Sequence, residues 1–210
     1  MGSLSLETDI LCPIDCIPTG IYITSKDSLG KPRVLSLLST FLESCVLQNE
    51  RVLETSQAKE LITIFHGLRA PSLSIQQYID RIFKYSRCSP SCFIIAHIYI
   101  DRFVRSTSIY LTSLNIHRLL ITSVMVAAKF MDDAFFNNAY YARVGGLSTK
   151  ELNKLEMKFL FGLDFRLHVN VHTFGKYCSF LKKEKFVDSC CVKESWANKD
   201  DHSCTQSIAR

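Results

Sequence analysis

A chain of 210 residues, 47% of them hydrophobic, is long enough for one substantial core, and a single domain with loose ends is expected. Its longest apolar stretches are interrupted by Asp101, His117 and Lys129 before they reach the roughly 20 residues a membrane span needs, so a soluble protein with no membrane partner is predicted. The net charge of +5 marks no nucleic-acid stripe, because the central Lys and Arg are mixed with Asp and Glu, and the densest cluster (Lys182, Lys183, Lys185) reads as a solvated helix end.

Residues 1–32 carry Pro13, Pro18, Gly20, Gly30 and Pro32 with no sustained period and are expected to be a poorly ordered lead-in. Met1 and Gly2 are followed by Leu6 where a myristoylation signal wants Ser or Thr, and no basic segment precedes an apolar one. Nine cysteines, an odd and scattered set with Cys45, Cys92 and Cys178 in apolar segments, fit a reducing compartment. An intracellular protein of nucleus or cytoplasm is therefore expected.

From Val34 to Val46 the apolar residues Val34, Leu37, Leu38, Phe41, Leu42, Cys45 and Val46 form a one-sided helical stripe. A polar link, Gln48 to Lys59, and an apolar run, Leu61 to Phe65, lead to the Gly67 and Pro71 breaks. Ser74 and Gln77 have capping-box spacing, and Ile75, Tyr78, Ile79, Ile82 and Phe83 predict an amphipathic helix to about Arg87. Ser89 and Pro90 open a central helix that is apolar nearly all round from Cys92 to Ile100. Asn115 is placed to cap a second such helix over Ile116 to Met131.

Asn137 to Val144 reads as a short helix stopped by Gly145 and Gly146. Ser148 and Glu151 form a second capping-box spacing before a helix bearing Leu152, Leu155, Phe159 and Leu160 and ending near Gly162. The segment Phe165 to Val169 looks extended, Thr173 to Lys183 can form one more helix, and residues 186–210 are expected to be a flexible, Cys-rich tail. The fold class is all-α: five central helices, two greasy ones enclosed by three amphipathic ones.

No catalytic constellation is present. Gly145 and Gly146 lie between two helices with no Lys-Ser/Thr after them, so no phosphate cradle, nucleotide or other small-molecule ligand is expected. Histidines and cysteines are not brought into a recognised nucleophile setting. Cys12 with Cys16, Cys88 with Cys92, and Cys190, Cys191, His202 and Cys204 are of metal-ligand type, but they straddle a helix start or lie in the two ends, and unliganded thiols are expected. No cofactor and no metal are predicted.

Three charges within the buried helices stand out. Asp101 ends an apolar run and is read as a buried, structural carboxylate that needs a cationic or hydrogen-bonding partner, rather than one facing solvent. Lys129, beside Val126 and Phe130, is either a cation complementing its helix C-terminus or a cation at the centre of an apolar interface. Glu156 is one residue, about 100° of rotation, from the inward Leu155 and on the same side as Leu160, which puts it at the rim of the core.

The segments Tyr99 to Phe103 (YIDRF), Ala127 to Phe130 (AAKF) and Leu155 to Leu160 (LEMKFL) resemble the cyclin box, a five-helix unit. More narrowly, Phe65 to Leu68, Ser74 to Ile79, Lys84 with Tyr85, Cys88 to Cys92, His117 to Leu120, Asn138 to Ala142 and Val144 to Gly146 resemble plant P-type (U-type) cyclins, themselves similar to the yeast phosphate-regulon cyclins. The resemblance spans residues 33–185 and implies one cyclin domain with a core box over 72–165, a flanking N-terminal helix and a short C-terminal one.

It also implies a regulatory subunit, not an enzyme, that binds and activates a cyclin-dependent serine/threonine kinase in the cell cycle or in nutrient and phosphate signalling. The residues that resemblance assigns to the kinase contact are Lys129, Glu156, Val126, Phe130, Leu160, Phe165 and Leu167, with Asp101 supporting the fold. Mitotic cyclins meet that Asp with an Arg of the first box helix, and residues 72–75 carry none, so Asp101 must find another partner, Arg81 or a backbone group. The rival reading is a cyclin-fold adaptor that binds transcription proteins or nucleic acid and activates no kinase.

Overall fold

The computed structural model describes residues 25–26, 30–56 and 61–182. Within them the chain forms α1 (Arg33–Ser56), α2 (Ile75–Ser86), α3 (Pro90–Thr107), α4 (Ile116–Met131), α5 (Asn138–Gly145), α6 (Thr149–Gly162) and α7 (Val171–Lys182), with one isolated bridge, Lys26 to Pro32. The expected lead-in lies mostly, and the Cys-rich tail wholly, outside the described residues. Of the lead-in, Lys31 is seen, its Nζ 2.6 Å from the Asp80 carboxylate.

The two helices that are apolar on nearly every side occupy the centre, since only burial on all faces satisfies such a pattern. Every residue of α3 from Cys92 to Ile100 is buried, as is every residue of α4 from Leu119 to Ala128. The one-sided helices wrap them: α2 buries Ile75, Tyr78, Ile79 and Ile82, and α6 buries Leu152, Leu155 and Phe159. α7 joins the same core through Cys178 and Leu181, with Phe180 edge-on to Phe41 of α1 at 5.2 Å.

Caps set the helix ends, though not all in the way their spacing suggests. Ser74 and Gln77 form the complete capping box. At α6 only half of the box is made: the Ser148 hydroxyl accepts from Glu151 N at 3.1 Å, but the Glu151 carboxylate turns away to the Arg118 guanidinium at 2.8 and 3.0 Å. A charged partner outbids a backbone N–H. Ser89 does not cap α3 with its side chain; its backbone N–H donates to Asp132 at 3.1 Å, tying the start of α3 to the end of α4. Asn115 likewise makes no cap bond, because its amide braces the preceding loop, accepting from Thr112 N at 3.0 Å and donating to Tyr110 O at 2.7 Å.

The polar stretch after Val46 is a correction. It continues α1 as helix to Ser56, since Asn49 donates to Leu111 O at 3.1 Å and Glu50 accepts from Ser113 N at 2.8 Å across the α3–α4 connection. α7 starts at Val171, two residues before the expected Thr173, because Asn170 Oδ1 accepts from Thr173 N at 2.7 Å as a side-chain N-cap.

α6 lies against α3 at Gly162. A Cβ there would come within 2.3 Å of the Phe103 ring, which is stacked on Phe159 at 4.9 Å and edge-on to Phe65 at 5.1 Å. Phe103 cannot yield without disturbing both neighbours. Gly162→Ala is expected to cost about 1–3 kcal/mol in denaturant unfolding, the usual penalty for overpacking; a wild-type midpoint would show that the two helices separate freely.

His97 of α3 is buried between the rings of Phe41 and Tyr177, at 5.0 and 5.2 Å, and its Nδ1 meets no partner among the described residues. Burial pushes its pKa down to about 4 from 6.5, against a smaller pull upward from Asp101. The unfolded chain therefore takes up this proton first. Stability is intact above about pH 6.5 and falls as the pH drops toward 4, by about 3 kcal/mol from this group. Urea unfolding across that window should show the loss, and His97→Gln should flatten it; parallel curves for the two chains would refute the assignment.

Candidate functional site

Among the described residues no cluster of three or more metal-ligand side chains occurs. Cys88 and Cys92 are both buried, Cys88 3.0 Å from the Ser86 hydroxyl and Cys92 3.4 Å from that of Ser89. A hydrogen bond between the two thiols holds Cys88 below and Cys92 above the ordinary thiol range. Cys12, Cys16, Cys190, Cys191, His202 and Cys204 lie outside the described residues. No described helix is long and apolar enough to cross a membrane.

Lys129 and Glu156, which lie 27 residues apart in the chain, meet at 2.6 Å. Lys129 comes at the last turn of α4, directly after the buried face ends at Ala128, and Glu156 sits on the rim of α6 between the buried Leu155 and Phe159. Asn138, the first residue of α5, closes the group. Its Oδ1 accepts from Lys129 Nζ at 2.5 Å, and its Nδ2 donates to Glu156 Oε2 at 2.6 Å and to Asn153 Oδ1 at 2.7 Å. The α5 N-cap, Asn137 accepting from Tyr140 N at 3.0 Å, fixes where Asn138 stands.

The pair is held but not spent. Lys129 and Glu156 side chains are 28% and 16% exposed. An ammonium has three N–H donors and a carboxylate about four acceptor positions, so each retains hydrogen-bonding capacity after these contacts. Three helices thus present one donor and one acceptor in a set geometry to whatever covers them. Sequence reading did not assign Asn138 or Asn153 this role; the Asn137 cap, which places Asn138 at a helix start facing α4, was the available signal.

Apolar residues flank the pair. Phe130 is half-exposed, Leu160 is partly buried against the core, and Phe165 is exposed beside Phe161, their rings edge-on at 5.3 Å. Val126 is the exception among the assigned residues: at 3% exposure it belongs to the core and offers the surface almost no area.

Phe165 follows Asp164, and both have left-handed backbone, with φ of 55° and 51°, an unfavourable conformation for residues with a Cβ. The turn is kept by Phe165 N donating to Leu160 O at 3.0 Å. Beyond it, the chain is pinned to α3: Tyr99 OH donates to Leu167 O at 2.6 Å, and Arg102 donates to Arg166 O and His168 O at 2.8 and 3.1 Å. Leu167 is thereby laid partly buried along the core.

Asp101 has two partners, neither of them foreseen. Arg105 Nε, one turn later, donates to its Oδ1 at 3.0 Å, and the Tyr177 hydroxyl of α7 donates to its Oδ2. Burial and the Asp101 charge together push the Tyr177 pKa far above its ordinary value, so it stays a donor. Arg81 is turned elsewhere, toward Arg143 O at 3.4 Å, because α2 faces α5 rather than the end of α3. The missing first-helix Arg is replaced from within α3 and by the flanking C-terminal helix.

The model of the family described as Cyclin matches residues 33–167. Cyclin-P3-1 of Oryza sativa subsp. japonica is 57% identical over 164 residues, 78% of this chain and 70% of that protein. Cyclin-U3-1 of Arabidopsis thaliana is 48% identical over 221 aligned positions that span both chains fully. Cyclin-U4-1 of the same plant is 52% identical over 153 residues, 72% of this chain and 76% of that protein.

Proposed function

This chain belongs to the cyclin family, and from that membership we propose that it is a regulatory subunit, not itself an enzyme, which binds a cyclin-dependent serine/threonine kinase and switches it on. The docking surface is the end of α4, the rim of α6 and the segment 165–167. Lys129 and Glu156 fix register, and Phe130, Leu160, Phe165 and Leu167 supply apolar area. The observation that carries this reading is the 2.6 Å Lys129–Glu156 contact, braced by Asn138, with hydrogen-bonding capacity left on both charges and hydrophobes on either side.

A protein kinase transfers phosphate only when its active-site Lys pairs with a Glu on its regulatory helix and its activation loop is clear. A partner shifts that equilibrium only by binding the active arrangement more tightly than the inactive one. A rigid three-helix corner is suited to this, because it pays little ordering entropy on docking and offers spare donors and acceptors to one geometry of the partner's backbone. An interface of about 1,600 Å² or more is expected. Work in the nucleus or cytoplasm, and a link to the cell cycle or to nutrient and phosphate signalling, belong to the same proposal.

The test is affinity capture by the purified chain from native extract, followed by a phosphotransfer assay on the captured pair. A kinase recovered with the chain, active in its presence and weak in its absence, is the expected result. Capture of no kinase, or of one whose rate the chain leaves unchanged, contradicts the proposal.

A further inference from the structure

The helix that supplies Glu156 carries an unexplained charge pattern on its outer face. Lys150, Lys154 and Lys158 recur every four residues along α6 and are exposed, a row about 12 Å long. Like charges at this spacing repel, so the row costs the free chain a few tenths of a kcal/mol per pair. The two acidic residues of α6 do not relieve it: Glu151 is committed to Arg118 and Glu156 to Lys129. None of the three lysines has an ion-pair partner among the described residues. Together with Ile64, Met157 and Phe161 they line a shallow groove whose walls are apolar, with Phe161 64% exposed.

This groove is continuous with the proposed docking surface, because Phe161 packs edge-on against Phe165 at 5.3 Å. The charges of the docking surface itself are already mutually neutralised, since Lys129 and Glu156 face each other. Such a pair fixes register at contact but projects little field. The unpaired +3 row next to it does project one, over about 8–10 Å at physiological salt. The complementary object is a strip of carboxylates interleaved with small hydrophobes.

We propose that the α6 groove is a second docking element of the same interface, in which Lys150, Lys154 and Lys158 steer and select a kinase bearing an acidic strip next to its cyclin-contacting surface, while Ile64, Met157 and Phe161 close on that strip's apolar residues. This rests on the kinase reading above and adds to it the charge of the partner surface and a division of labour: the lysine row governs arrival, the Lys129–Glu156 corner governs residence.

Stopped-flow or surface-plasmon kinetics test the division, using the kinase recovered by capture. The variant carrying Lys150→Glu, Lys154→Glu and Lys158→Glu is expected to associate at least ~10-fold more slowly at low salt, with its salt dependence flattened, and to dissociate at nearly the wild-type rate. The Lys→Gln triple should lie between, and it provides the same test if the reversed-charge helix is perturbed. Phe161→Ala should instead raise the dissociation rate. Wild-type association and salt dependence in both triples would overturn the proposal. If those triples bind normally while Glu156→Ala does not, the groove falls and the kinase reading stands. Capture of no kinase by the wild-type chain brings down both.

Discussion

Replacing Glu156 with alanine is expected to weaken kinase binding about 30-fold or more while the chain stays folded. The carboxylate sits where a partner would bury it, and truncating one member of a hydrogen-bonded, desolvated charge pair in an interface costs about 2–5 kcal/mol. The free chain loses far less, because the Lys129–Glu156 contact is still part-exposed before docking and such pairs contribute about 1 kcal/mol or less. Lys129→Glu should be worse for binding: it puts a second carboxylate against Glu156 and removes the donor that Asn138 accepts from. Calorimetric titration with the kinase and a thermal melt of the free variants separate the two effects. Wild-type affinity in both folded variants would take the docking face away from this corner of the molecule.

The largest effect on stability is expected at Asp101. Asp101→Ala leaves the Arg105 guanidinium without its anion, although Nη2 of that group is already buried with no partner among the described residues, and it strands the Tyr177 hydroxyl. Breaking this part-exposed pair costs about 1 kcal/mol, and leaving the buried Tyr177 hydroxyl without its acceptor adds about 1–3 kcal/mol. Tyr177→Phe, which removes one hydrogen bond and leaves the ion pair intact, should cost about 1 kcal/mol. Urea unfolding of the two variants gives the comparison. Equal, small losses would mean that water replaces both partners and that α7 is not anchored through Asp101.

What could be read from the sequence was whatever local spacing dictates. The all-round apolar runs of α3 and α4 placed the centre, the Ser74 box placed the start of α2, and Gly146 at φ 72° closed α5 as a glycine can. Lys129 and Glu156 were found through the resemblance of their segments, but their meeting was not legible, because it depends on how α4 and α6 cross. The same holds for Asp101. Its need for a partner was foreseen but neither partner was, and Tyr177 is 76 residues away on a helix whose docking no periodicity reports.

The half-made cap at Ser148 shows the opposite failure. There the local rule was satisfied in spacing, and a long-range guanidinium won. The last turns of α1 were misread for a related reason: Asn49 and Glu50 look like a link until their partners at Leu111 and Ser113 are known. Residues whose partners lie on another element are the ones that local patterns leave unassigned, and Asn138, which joins three helices at the site, is of that kind.

The corner made by α4, α5 and α6 is expected to be what a kinase covers. Hydrogen–deuterium exchange of the purified chain, alone and with the captured kinase, addresses it without any substitution. Slowed exchange concentrated at the end of α4, along α6 and through residues 163–168, with α1 and α7 unchanged, is the expected pattern. Protection on the α1 and α7 side with none at this corner would contradict the account.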